Sequence, residues 1–134
     1  MKKGEIPEGI RFADEQSAAN YQKALDGDYQ AWGPCPVAIS ADGPGKGKTT
    51  LARIILTKRF GEPIVSDLPA TTSQWCGLIN RGGGHGYLFF EDVAGRDIGR
   101  LMALSEQGFL VVFTGNHLPV RTDSEGVLLR IDLI

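Results

Sequence analysis

The sequence predicts a three-layer α/β protein, in which a parallel central sheet of about five strands is covered by helices on both faces. Short apolar runs alternate along the chain with longer stretches that carry apolar residues at helical spacing. A glycine-rich segment separates the first of these runs from the helix that follows it. The run Tyr-Leu-Phe-Phe at residues 87–90 is continuously apolar, which is typical of a parallel strand buried on both faces.

Composition predicts one globular domain. The chain has 134 residues, of which 42% are hydrophobic and 22% charged. We divide it into an N-terminal arm and helix at 1–30 and a core at 31–134. The net charge is −2 and the basic residues are scattered, so composition alone offers no electrostatic argument for a nucleic-acid partner. Cys35 and Cys76 lack metal-ligand spacing, and no run approaches the ~20 apolar residues of a membrane span. We therefore expect a cytoplasmic protein without a membrane partner.

In the N-terminal half, glycine, proline and helix-capping residues indicate where the elements begin and end. Residues 1–12 are polar and interrupted by glycine and proline, which predicts a loosely held arm. A helix is expected at 14–25, because Asp14 is a plausible N-cap and Gly27 a stop signal. A strand at 37–40 and a helix at about 48–60 follow.

The second half continues the alternation. Strands are expected at 64–66, 87–90, 109–113 and 127–134, with helices at 71–79 and 95–107. Residues 81–86 are predicted to be irregular, because four of the five positions from 82 to 86 are glycine.

The segment between the first core strand and its helix has the pattern of a phosphate-binding loop. Its candidate ligand-binding residues are Gly43, Pro44, Gly45, Lys46, Gly47, Lys48, Thr49 and Thr50. Glycines let successive backbone amides point inward at phosphate oxygens, and the following helix adds its positive end. Lys48 supplies a cation for the β and γ phosphates, and Thr49 a hydroxyl for Mg²⁺. Asp42 stands where the full pattern has glycine, and we expect its carboxylate to face away.

Two further strand ends carry polar side chains. The apolar strand at 87–90 ends in Glu91-Asp92, a pair that can hold Mg²⁺ and activate water. We favour Glu91 for the metal and Asp92 for the water, and the reverse assignment stays open. The strand at 109–113 leads to Thr114-Gly115-Asn116, where the amide of Asn116 can contact both the γ-phosphate and the attacking water.

The phosphate-binding loop resembles the loops of AAA+ ATPases, and the order of the motifs resembles superfamily-three helicases such as phage and viral replication ATPases. The resemblance spans about residues 37–134. It implies a P-loop NTPase that uses ATP and Mg²⁺, assembles into a ring such as a hexamer, and acts on single-stranded DNA or RNA. It also implies an arginine finger that reaches a neighbour's nucleotide, with Arg130 as first candidate and Arg121 as second. We expect the C-terminal lid of AAA+ proteins to be lacking, so that the chain is either a minimal ATPase module or a fragment.

One departure from that family weakens the helicase expectation. Superfamily-three helicases carry a DNA-gripping hairpin between the acidic strand and the asparagine strand, whereas residues 93–108 here predict a single helix. A small nucleotide kinase is a second hypothesis, since residues 42–44 are similar to the Asp-Gly-Pro opening of such enzymes. A third is a nucleotide-dependent assembly module with little hydrolysis.

Overall fold

The computed structural model describes residues 6–26, 36–66, 68, 71–118 and 129–134. The helices are α1 Glu15–Asp26, α2 Lys48–Phe60, α3 Thr72–His85 and α4 Ile98–Ser105, with a short 3₁₀ turn at Gly95–Asp97. The strands are β1 Val37–Ala41, β2 Tyr87–Phe90, β3 Leu110–Asn116 and β4 Leu129–Asp132. None of the described helices combines the length and the apolar character that a membrane span requires.

The strands form one parallel sheet in the order β2-β3-β1-β4. This confirms the α/β class and the parallel sheet, and the described residues form four strands rather than five. The segment expected as a further strand makes one bridge, from Val65 to Phe89, and the Ser66 amide donates to the Phe89 carbonyl over 2.7 Å. The Ile64 amide donates instead to the Tyr87 hydroxyl, so the ladder does not extend.

Alternate residues of the sheet pack against helices on opposite faces, which gives the three predicted layers. One face packs against α1 and α2 through a cluster that includes Val37, Ile39, Val112, Leu51 and Ile55. The other face packs against α3 and α4 through a cluster that includes Ala38, Val111, Phe113, Leu78 and Leu101. Burial of both faces explains why these strands have continuous apolar runs.

The end of the N-terminal arm is attached to the sheet, so the prediction that residues 1–12 are loosely held is wrong for its last residues. Phe12 forms an antiparallel bridge with Leu133, and the Ile134 amide donates to the Arg11 carbonyl over 3.0 Å. The next helix begins as predicted, because the Asp14 carboxylate accepts the Ser17 amide at 2.8 Å. The end of the arm and α1 together cover the outer edge of β4.

The glycine-rich segment after residue 80 is helical, and our prediction of an irregular loop there is wrong. Helix α3 continues to His85, and Gly86 ends it with a φ of 89°. Glycine costs about 1 kcal/mol per residue in a helix relative to alanine, but tertiary packing overrides such a preference. Here Leu78 is fully buried against the sheet, which anchors α3 ahead of its glycines.

Candidate functional site

Three of the predicted motifs lie at the same side of the sheet, where the carboxyl ends of its strands are found. The glycine-rich loop follows β1, the acidic pair follows β2, and Asn116 ends β3. These strands are neighbours in a parallel sheet, so their carboxyl ends meet at the same edge. Asn116 is the register partner of Ala41, the last residue before the loop. The sequence motifs are therefore brought together by the fold.

The loop curls tightly into the start of α2. Gly45 and Gly47 have φ values of 78° and 97°, a region that side-chain-bearing residues rarely adopt. Gly47 caps α2 without any side-chain hydrogen bond, and the first helical bond runs from the Leu51 amide to the Gly47 carbonyl. The amides of residues 48–50 thus have no intrahelical acceptor, which is the arrangement that binds anions at helix N-termini.

The end of the N-terminal arm supports this loop. A Cβ atom on Gly47 would lie 2.6 Å from the Ile10 side chain, which packs against the α1–α2 side of the core. The backbone conformation at residue 47 therefore favours glycine, and a side chain there would also displace Ile10.

Lys48 is the first residue of α2, and its side chain reaches back across the loop. Lys48 is 7% exposed, and its Nζ donates to the Gly43 carbonyl at 3.0 Å. The side chain thus spans the distance from the start of α2 to the beginning of the loop. Thr49 is half-buried, while Thr50 and Lys46 are exposed. An anion held by the loop amides would lie close to this ammonium group.

Asp42 precedes the loop and is exposed. It lines a cavity of about 430 Å³ beside the ends of β1 and β4, together with His117 and Asp132. Its carboxylate is thus accommodated next to the loop.

The acidic pair forms a turn held by β3. Glu91 is half-buried and Asp92 exposed, and Asp92 has a φ of 57°. The Asp92 amide donates to the Thr114 hydroxyl at 3.2 Å, and the Val93 amide donates to the Thr114 carbonyl at 2.8 Å. The turn therefore depends on the neighbouring strand for two successive hydrogen bonds.

The end of β3 is also joined to β1. The His117 amide donates to the Ala41 carbonyl at 2.9 Å, and the Leu118 amide donates to the Ser40 hydroxyl at 3.2 Å. Asn116 lies between these contacts and the acidic turn, and it is exposed.

Thr114 and Gly115 are the residues whose roles the sequence analysis missed. A Cβ on Gly115 would lie 2.6 Å from the Val93 carbonyl oxygen, so this glycine allows β3 and the acidic turn to touch. A glycine inside a strand pattern is itself a signal of close backbone approach.

Arg130 occupies a different environment from the one its predicted role needs. The residue is 5% exposed, and its guanidinium group pairs with the Asp132 carboxylate at 3.0 Å and donates to the Leu118 carbonyl at 2.9 Å. These contacts hold the side chain within its own subunit and give no support to an arginine finger. Arg121 lies outside the described residues.

No protein-family profile matches this chain, and no protein with a curated description matches it significantly. Membership of the AAA+ or superfamily-three group therefore stays a prediction that rests on the motifs and on the sheet edge that assembles them.

Proposed function

We propose that this protein binds ATP with Mg²⁺ and hydrolyses it to ADP and phosphate. The observation that carries the proposal is the loop between β1 and α2. It combines two left-handed glycines, uncapped helical amides and the Lys48 ammonium group at the sheet edge that also bears Glu91, Asp92 and Asn116. Amides and a lysine at a helix N-terminus are what polyphosphate recognition requires.

The loop supplies the binding step. Amides between Gly45 and Thr49 would hold the β and γ phosphates, and the Lys48 Nζ would exchange the Gly43 carbonyl for a phosphate oxygen. This exchange does not leave the buried ammonium charge without a partner, because an oxygen atom accepts its hydrogen bond before and after. The Gly43 carbonyl holds Lys48 in a position from which it can reach an incoming anion.

The chain offers hydroxyl and carboxylate oxygens for Mg²⁺, which are ligands that this cation prefers. Thr49 and Glu91 would hold the ion, whose charge would offset that of the phosphates. Glu91 directly follows β2, and we assign it, rather than Asp92, to the metal.

Hydrolysis needs a positioned water molecule. Asp92 would accept its proton as the oxygen attacks the γ-phosphorus and the bond to the bridging oxygen of ADP breaks. Asn116 would orient both the water and a γ-phosphate oxygen through its amide group. The proton then passes from Asp92 to solvent, which restores the carboxylate.

The motif order supports a narrower proposal, namely a ring-forming ATPase of the superfamily-three type that acts on single-stranded nucleic acid. The 3₁₀ turn Gly95–Asp97 and α4 fill the interval between the acidic turn and β3, and this described interval contains no hairpin. We therefore propose stimulation of hydrolysis by single-stranded DNA or RNA, and we do not propose unwinding by this chain alone.

Phosphate release from ATP, measured with and without single-stranded DNA or RNA, tests this function. We expect the wild type to release phosphate, and Glu91→Gln and Asp92→Asn to lower kcat by roughly a hundredfold, the scale of general-base and metal-site losses. Glu106→Gln is the matched control, because Glu106 is an exposed carboxylate at the end of α4.

The same assay separates the alternatives. Transfer of phosphate to a nucleotide acceptor in place of free phosphate would identify a kinase. Tight ATP binding without turnover would identify an assembly module, and it would refute the proposed hydrolysis.

A further inference from the structure

Thr114 is a buried polar residue that the proposed reaction does not use. It is 1% exposed and lies in β3, two residues before Asn116. Its hydroxyl accepts the Asp92 amide and its carbonyl accepts the Val93 amide, over 3.2 and 2.8 Å. One residue of a neighbouring strand thus holds two successive amides of the acidic turn.

The turn needs that support. Asp92 has a φ of 57°, and this left-handed conformation is unfavourable for a residue with a Cβ atom. Aspartate tolerates this conformation better than most residues, yet it still prefers a right-handed or extended backbone. If the Asp92 amide lost its acceptor, relaxation toward those regions would redirect the Asp92 carboxylate.

The contact between β3 and the turn is close. A Cβ atom on Gly115 would lie 2.6 Å from the Val93 carbonyl oxygen. Because Asn116 follows directly, one three-residue segment of β3 fixes both the acidic turn and the asparagine. The contacts of β3 therefore determine the distance between Asn116 and the acidic turn.

We propose that Thr114 is a positioning residue for hydrolysis, which sets the direction of the Asp92 carboxylate by accepting the Asp92 amide. The inference rests on the proposed ATPase function. Thr114 does not belong to the loop that binds phosphate. Its hydroxyl therefore controls kcat and leaves ATP affinity unchanged.

Replacing the Thr114 hydroxyl tests this role in the full-length protein. Thr114→Val keeps the shape and removes the acceptor, whereas Thr114→Ser keeps the hydroxyl. We expect Thr114→Val to lower kcat roughly tenfold to a hundredfold, the scale of a small misplacement of catalytic groups. KM and the Kd for a non-hydrolysable ATP analogue should stay at the wild-type values, and Thr114→Ser should recover most of the rate. Thr57→Val is the control, since Thr57 is an exposed residue of α2.

The pair Thr114→Ala and Thr114→Ser gives the same comparison if the valine variant does not fold, because those two differ by one oxygen atom. Equal kcat in the wild type and in the variants without a hydroxyl would remove the positioning role and leave the ATPase proposal intact. A parallel loss of rate, ATP affinity and stability would show a merely structural role. If the wild type releases no phosphate, the proposed function fails and the positioning role fails with it.

Discussion

Close contacts restrict which residue can occupy some positions in this protein, and Gly115 is the clearest case. It has no unusual φ, but a Cβ there would meet a backbone oxygen, which cannot move aside as a flexible side chain can. Gly99, in α4, has nothing within 4 Å of the same position. The two glycines therefore make a matched pair for substitution.

We expect Gly115→Ala to lower the free energy of unfolding by about 1–3 kcal/mol, as overpacking of a tight site does. Gly99→Ala should raise it by up to about 1 kcal/mol, because alanine is the better helix former. Urea denaturation of both variants measures these changes. Equal stabilities for the two variants would contradict the contact between Gly115 and Val93.

Candidate site residues could be predicted from the sequence where they belong to one contiguous motif. The pattern around Lys48 could be read directly, because loop, lysine and helix follow one another in the chain. The surroundings of Arg130 could not, because its guanidinium partner Leu118 is brought to it only by the adjacency of β1, β3 and β4. The role of Thr114 likewise depends on contact between two strands.

At the level of elements, α1 protects the outer edge of the sheet. Edge strands expose unpaired backbone groups that can pair with other chains. Here the Asn20 side-chain amide donates to the Arg130 carbonyl at 2.7 Å, and the Ser17 hydroxyl accepts the Asp132 amide at 2.9 Å. Side chains of a helix thus replace a further strand at this edge.

We expect Asn20→Ala to cost about 1–3 kcal/mol of stability, because the Arg130 carbonyl would remain buried without this donor. Lys23→Ala, at an exposed position of the same helix, should change stability by less than about 0.5 kcal/mol. Urea denaturation checks both values. If Asn20→Ala loses no more stability than Lys23→Ala, the hydrogen bond from Asn20 to the Arg130 carbonyl does not stabilise this edge of the sheet.

Most elements could be predicted because apolar runs and helical spacing are local signals. The four strands lie where expected, although β3 extends to Asn116, three residues beyond the predicted end. The failures have physical causes that local patterns do not contain. Helix α3 continues through glycines because its packing outweighs their low propensity. The segment around Val65 makes one bridge because the Tyr87 hydroxyl takes the amide of Ile64.

For the whole molecule, the sheet order explains why distant motifs can act together. Strand β3 lies between β1 and β2, so Asn116 stands between the loop and the acidic pair. Each neighbour is joined to β3 by hydrogen bonds beyond the ladder, from His117 to Ala41 and from Asp92 to Thr114. The proposed hydrolysis requires that the loop bind a polyphosphate first.

Calorimetric titration of the protein with a non-hydrolysable ATP analogue and Mg²⁺ tests that requirement most directly. We expect the wild type and Lys23→Ala to bind with equal affinity. Lys48→Ala should bind roughly 10- to 100-fold more weakly, which corresponds to the loss of one charged hydrogen bond. Undiminished affinity in Lys48→Ala, or no binding by the wild type, would contradict a polyphosphate site at this loop.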